Sequence, residues 1–246
     1  MECRQEEKLP PADNNPKKKE KTMDKNKTEI VLVIDKSGSM HSLQKTVVES
    51  VNSFLEEQAG QPGTAYVTLY SFDNEVQEML RHCELKEVPK LTEKNYVPGG
   101  MTALLDGVGR AIDETGARLA ALPEEERPAV VTVGIMTDGY ENASREYSRK
   151  DIAERIARQK EKYNWKFIFF GAGEDAIQVA AQMNIDKEDS VKWEAGNAED
   201  LQAVMHCTSQ RVSYSRKCSI MGVAEDRVSM DGLMDRARSL FRKKRK

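Results

Sequence analysis

The chain has 246 residues, 39% of them apolar and 32% charged, with a formal net charge of −3. That length suffices for one sizeable core, so a single domain is the default. Residues 211–246 hold 11 Lys/Arg against 4 Asp/Glu, a net of +7, which leaves −10 on residues 1–210 and argues against the body gripping nucleic acid.

Residues 1–28 are rich in Lys, Glu, Asn and Pro and predict a disordered charged arm. The arm has no apolar centre, so no secretory leader is expected. Ile30–Ile34 is an unbroken apolar run, the mark of a strand covered on both faces. Ser42–Gln58 predicts a helix, with Leu43, Val47, Val48, Val51, Phe54 and Leu55 on one stripe. Ala65–Phe72 predicts a second strand, and the turn at Asp73-Asn74 predicts a hairpin partner over Glu75–His82. Cys83–Val97 is expected to be irregular. Thr102–Leu122 predicts a helix, Val130–Met136 a buried strand, Arg149–Lys162 a helix and Trp165–Phe170 a strand. Asp175–Met183 predicts a short helix, Ser190–Trp193 a short strand and Ala198–Cys207 a last helix.

Strands alternate with helices almost throughout, which predicts a mostly parallel α/β sheet with helices on both faces. The hairpin adds one antiparallel strand. No internal repeat is visible. Ser209–Ala224 carries no clear pattern. In the tail, Met230, Leu233, Met234, Ala237, Leu240 and Phe241 fall at amphipathic helix spacing. That helix either docks a partner, an anionic surface or nucleic acid, or the tail packs back on the acidic body or stays disordered.

Cys3, Cys83, Cys207 and Cys218 form no CxxC pair. They read as free thiols in a reducing compartment rather than a disulfide framework or a zinc site. No run approaches the ~20 apolar residues of a membrane helix. A soluble, cytoplasmic protein without a transmembrane segment is expected.

In such sheets ligands bind beyond the carboxyl ends of the strands. The first strand ends in DKSGSM, which places Asp35, Ser37 and Ser39 at alternate positions. The strand at Val130–Met136 ends in MTDGYEN, which places Asp138 in a turn. Thr102 follows Gly99-Gly100 at a helix start. Two carboxylates and three hydroxyls thus gather at one sheet edge, with no histidine or cysteine pair nearby. All-oxygen ligation suits a hard cation such as Mg²⁺, and Gly38 permits the loop to curl around it. Taken singly, Ser39 or Thr102 would also serve as a helix cap, and Asp138 as a turn residue.

The set Asp35-x-Ser37-x-Ser39, Thr102 and Asp138-Gly139 resembles the metal ion-dependent adhesion site (MIDAS) of von Willebrand factor type A (vWA) domains. The resemblance covers roughly Glu29–Cys207 and all five ligand positions. The stretch GGMTALLDG looks like intracellular, stand-alone microbial members, departing from a common pattern at Met101. The resemblance implies a three-layer α/β/α Rossmann-like fold around a six-stranded sheet, with one vWA domain over 29–207 between the arm and a basic tail over 208–246.

It also implies a binding module rather than an enzyme. Ser37, Ser39 and Thr102 would touch the metal, and Asp35 and Asp138 would act directly or through water. A Glu or Asp of a protein partner would complete the shell. Mg²⁺ is the expected ion, with Mn²⁺ an alternative and Ca²⁺ a poorer one. An AAA+ ATPase system is a partner class that the resemblance suggests. Lys36, His41, Tyr140, Glu141 and Asn142 read first as exposed loop residues and alternatively as the rim of the site, and Asp106 and Asp113 are expected behind the site or in solvent. His82 and His206 have no expected role, and GAGED at Gly171–Asp175 reads as a strand-to-helix turn.

Two other functions fit parts of the pattern. A phosphohydrolase of haloacid dehalogenase type would use Asp35 as nucleophile, but it needs an acid two residues later, where Ser37 stands, to protonate the leaving group. A binding protein that works through its basic tail would use the metal only structurally.

Overall fold

The computed structural model describes residues 22–173, 175–226 and 229–243. Six strands, β1 (Asp24–Asp35), β2 (Thr64–Phe72), β3 (Val76–Glu84), β4 (Pro128–Thr137), β5 (Lys166–Ala172) and β6 (Ser190–Trp193), form one sheet in the order β3-β2-β1-β4-β5-β6. Only β2 and β3 pair antiparallel; the other neighbours are parallel. The helices are α1 (Gln44–Ala59), α2 (Leu104–Ala121), α3 (Arg149–Tyr163), α4 (Ala176–Gln182), α5 (Ala198–Met221) and α6 (Met230–Lys243).

Successive strand residues point to opposite faces, and β1 shows why its apolar run is unbroken. Ile30, Leu32 and Ile34 enter a core shared with α1, α5 and α6. Val31 and Val33 enter a second core shared with α2, α3 and α4. The sheet is therefore the middle of three layers, as expected, and β1 is central in it.

β1 is longer than its apolar run suggests. It begins at Asp24, where it pairs with Pro128, and Lys27 pairs with Thr64. Residues 24–28, expected in the disordered arm, belong to the sheet because backbone pairing on both sides holds them despite their polarity. Residues 1–21 of that arm lie outside the described residues.

The larger departure is at the C-terminal end. The expected boundary at Cys207 falls inside α5, which runs to Met221. The stretch carried no apolar pattern because most of its buried positions are polar: Thr208, Ser209, Arg211, Ser213, Ser215 and Arg216, beside Val212 and Cys218. Gln58, itself fully buried, donates to the Ser209 carbonyl and to the hydroxyls of Ser209 and Ser213 at 2.9 Å each. Arg216 donates to Gln58 O (2.6 Å) and Oε1 (3.1 Å), and to the carbonyls of Pro62 and Gly63. Beyond it, α6 packs back on the body through Met230, Met234 and Ala237. Arg238 pairs with Asp200 at 2.9 Å. Cys83, Cys207 and Cys218 are free thiols. Among the described residues no helix is long and apolar enough to cross a membrane.

Candidate metal centre at the strand ends

The parallel pairing of β1 with β4 brings Ile34 opposite Met136, so Asp35 and Asp138 leave the sheet side by side. Asp35 is fully buried. Its Oδ1 accepts the Ser37 N–H at 2.7 Å, and its Oδ2 accepts the Thr137 hydroxyl at 2.6 Å. Its carbonyl accepts the Tyr96 hydroxyl at 2.6 Å. Burial pushes the Asp35 carboxyl up to about 6, against the pull of the Thr137 and Ser37 hydrogen bonds. Burial also raises Asp138.

The hydroxyls close the circle. Ser37 Oγ lies 3.0 Å from Ser39 Oγ, which donates to Asp138 Oδ1 at 2.5 Å. A Cβ placed on Gly139 would sit 3.1 Å from Thr102 Oγ1 and 3.7 Å from Ser39 Oγ. Thr102 and Ser39 therefore face one small space that a side chain at 139 would fill. The five side chains come from three separate segments and offer oxygen donors only. They grade from buried Asp35, Ser37 and Thr102 to exposed Ser39, so the group opens to solvent on one side.

Neither cap alternative is used. Ser39 spends its hydroxyl on Asp138, and α2 has Ala103 at its N-cap with no side-chain cap bond. Gly38 differs from expectation: its φ is not among the positive ones. Its N–H instead reaches the Gly100 carbonyl at 3.1 Å, while Gly99 N–H reaches the Lys36 carbonyl at 2.8 Å. Two backbone bonds thus clamp the DKSGS loop to the loop that carries Thr102. Gly100 does need its freedom, with φ +72° and Asn74 Oδ1 2.9 Å from where a Cβ would sit.

Asp106, Glu141 and Asn142 turn out to be anchors. Asp106 accepts the backbone N–H groups of Arg145, Glu146 and Tyr147 at 2.8–3.0 Å. Glu141 accepts those of Leu105, Ala143 and Ser144. Asn142 Oδ1 accepts the Thr102 N–H at 2.9 Å, and its own N–H donates to the Thr102 carbonyl. The loop after Asp138 is thereby fixed to the start of α2. Lys36 is held by Asp73 at 2.5 Å, and Asp113 is paired with Arg155. Tyr140 is exposed at the rim. Thr137 and Tyr96 went unmarked in the sequence, and Asn74 was marked only as a turn residue. Thr137 adjoins Asp138, whereas Tyr96 sits in an irregular stretch that offers no signal.

A von Willebrand factor type A domain model matches residues 29–205. The chain belongs to the von Willebrand factor type A domain family. Among solved structures, the PilB minor pilin of Streptococcus sanguinis is 13% identical with a TM-score of 0.56, over 76% of this chain and 61% of the pilin. The vWF domain of the type V pili tip protein Mfa5 of Porphyromonas gingivalis is 11% identical with a TM-score of 0.55, over 82% of this chain and 98% of that domain. Proximal thread matrix protein 1 of the mussel byssus, in a form with a zinc-occupied MIDAS motif, is 15% identical with a TM-score of 0.52, over 76% of this chain and 46% of the byssal protein. The chain thus spans under two thirds of the pilin and of the byssal protein, and at these identities the likeness is one of fold. No curated protein gives a significant sequence match. As a class, vWA domains are protein-interaction modules and generally not enzymes.

The packing of this vWA domain's site loop yields one prediction. A Cβ on Gly109 would meet the Tyr147 ring at 2.5–2.7 Å. That ring lies under the Arg155 guanidinium, 4.9 Å from its centroid, and its hydroxyl donates to Asp113. Gly109→Ala should therefore cost about 1–3 kcal/mol in urea unfolding and loosen the loop that carries Asp138. A variant as stable as the parent would show that the ring yields freely.

Proposed function

We infer that this vWA domain is a metal-dependent protein-binding module. Ser37, Ser39 and Thr102 bind the ion through their hydroxyls, Asp138 directly or through water, and Asp35 orients Ser37 and the metal's waters. The observation that carries this reading is the convergence of these five side chains, all hard oxygen donors, on one solvent-open point at the strand ends. Such a set suits Mg²⁺, or Mn²⁺ in its place. With two carboxylates and three neutral hydroxyls, the bound ion retains affinity for one more anionic oxygen, which a partner's Glu or Asp supplies.

Ser37 stands where a dehalogenase-type phosphatase needs its acid, which favours binding over catalysis. Met230, Met234 and Ala237 of α6 are spent on the body, which favours the metal edge over the tail as the partner surface. Two buried free thiols, Cys207 and Cys218, favour a reducing, cytoplasmic setting. An AAA+ ATPase is the partner class offered by the family resemblance.

Thermal unfolding in chelator and then in Mg²⁺ tests the reading. A ligand in hundredfold excess over its Kd stabilises the folded form by about 2.7 kcal/mol, roughly 5–10 °C at this size. Thr102→Ala and Asp138→Ala should lose the shift. An equal shift in both variants, or none in the parent with either Mg²⁺ or Mn²⁺, would sink the assignment.

A further inference from the structure

Beside Thr102, on the outer side of the metal edge, lies a pocket of about 230 Å³ lined by Asn74, Met101, Asn142, Ala143, Ser144 and Arg145. Its polar groups share one property. Asn74 Oδ1 accepts the Met101 N–H at 2.6 Å, and Asn142 Oδ1 accepts the Thr102 N–H at 2.9 Å. Consecutive backbone amides thus consume both side-chain oxygens and fix both amide orientations, since a flipped amide would set NH₂ against N–H. Each NH₂ group is left as a donor, and among the described residues neither has an acceptor. Arg145 adds a guanidinium. Its backbone N–H is held by Asp106 at 2.8 Å, its side chain is exposed, and no ion pair ties it among the described residues. Ser144 is occupied, donating to Glu141 at 2.7 Å and accepting from the Asp106 N–H at 3.1 Å.

The side-chain groups this pocket leaves open, two NH₂ groups and a guanidinium, are donors, which suits an anion. The backbone that frames it is already fixed by Asp106, Thr102 and Met101, so little ordering is left to occur on binding. One formal positive charge faces it, and the carboxylates of Asp106 and Glu141 stand behind its wall. That balance suits a singly charged carboxylate better than dianionic phosphate.

We propose that this pocket is a second carboxylate site, which takes an acidic side chain of the same partner segment whose other acid binds the metal. The two-acid partner rests on the metal-binding reading above; the pocket's own affinity for a carboxylate does not. Met101 and Tyr140, exposed at the same rim, give that segment apolar surface between its two charges.

The test is a heteronuclear magnetic resonance titration of the full chain. In EDTA, sodium acetate should shift the side-chain NH₂ signals of Asn74 and Asn142 and the Arg145 Nε–H saturably, beyond the effect of sodium chloride at equal ionic strength. Arg145→Ala should weaken acetate binding about tenfold, the scale of one charge-assisted contact. A response matched by chloride, or one unchanged in Arg145→Ala, overturns the site. Inorganic phosphate binding more tightly than acetate overturns the carboxylate assignment. In Mg²⁺, a synthetic peptide with two aspartates should bind about tenfold more tightly than its one-aspartate counterpart, and Arg145→Ala should erase that advantage. An advantage that survives the substitution overturns the two-acid partner. Because the acetate arm runs without metal, failure of Mg²⁺ to bind would defeat the metal reading and leave the pocket to be judged on acetate alone.

Discussion

Replacing Asp35 by asparagine should raise the melting temperature in chelator and abolish its response to Mg²⁺. Asp35 is fully buried at the end of a central strand, and burial holds its carboxyl up to about 6. Its folded value lies above the ordinary aspartate value of 3.8, so folding takes up a proton in the window between them. The contribution of Asp35 to stability is therefore complete below about pH 4 and lost as pH rises to about 6. At neutral pH an ionised Asp35 costs the metal-free fold roughly 2–3 kcal/mol. Asparagine keeps the geometry without the charge. Its oxygen can accept the Ser37 N–H, and its NH₂ can donate to Thr137, whose hydroxyl then turns to the Gly139 carbonyl 3.2 Å away. Melting in EDTA across pH 4–8 should show the parent losing more stability over this window than the variant, which keeps only the contribution of groups such as Asp138. Mg²⁺ affinity of the parent should rise over the same window, because a ligand must be ionised to serve. A variant less stable than the parent in EDTA at pH 7 would show that the charge is already compensated.

Arg216→Ala should cost about 3–5 kcal/mol in denaturant unfolding, the scale of breaking a buried, hydrogen-bonded charge network. Arg216 is 2% exposed and among the described residues pairs with no carboxylate; burial draws its pKa down. It is held by carbonyls at the C-terminus of α1 and in the turn after it. There the helix dipole presents its negative end to a cation. Truncation strips partners from the carbonyls of Gln58, Pro62 and Gly63 together, and opens a cavity between α1 and α5. A chain ending at Cys207 should fare worse, since it also loses Ser209 and Ser213, the partners of buried Gln58. Cooperative unfolding of that short chain at the parent's midpoint would show that the C-terminal half of α5 is an appendage.

These two predictions mark where the sequence was legible and where it was not. The apolar runs of β1, β4 and β5 announced buried strands because both faces of the sheet are covered. The placement of Asp35, Thr102 and Asp138 was legible because each ends or closely flanks an element whose place at the sheet edge follows from parallel topology. The second half of α5 was hidden because it buries serines and arginines, and only their partners on α1 make that burial tolerable. The supports of the site were hidden for a related reason. Tyr96 reaches the Asp35 carbonyl from 61 residues away, and Asp106 and Asn142 act on backbone 39 and 40 residues distant. Such pairings follow from the folded path of the loops and leave no spacing to read.

The two borders of the sheet bear on how this molecule meets others. β6 is four residues long, and α6 lies against it, with Arg238 donating to the Lys192 carbonyl. At the opposite border β3 is irregular, with two breaks in its register against β2 and a left-handed backbone at His82. It also sets Glu78 and Arg81 at its margin, joined in an ion pair. A short, shielded strand and a kinked, charged one are how proteins discourage lateral growth of a sheet. Donation of a strand from another chain finds no straight template on either side. On the binding-module reading, that leaves the loops above the strands as the surface where chemistry rather than backbone pairing selects the companion.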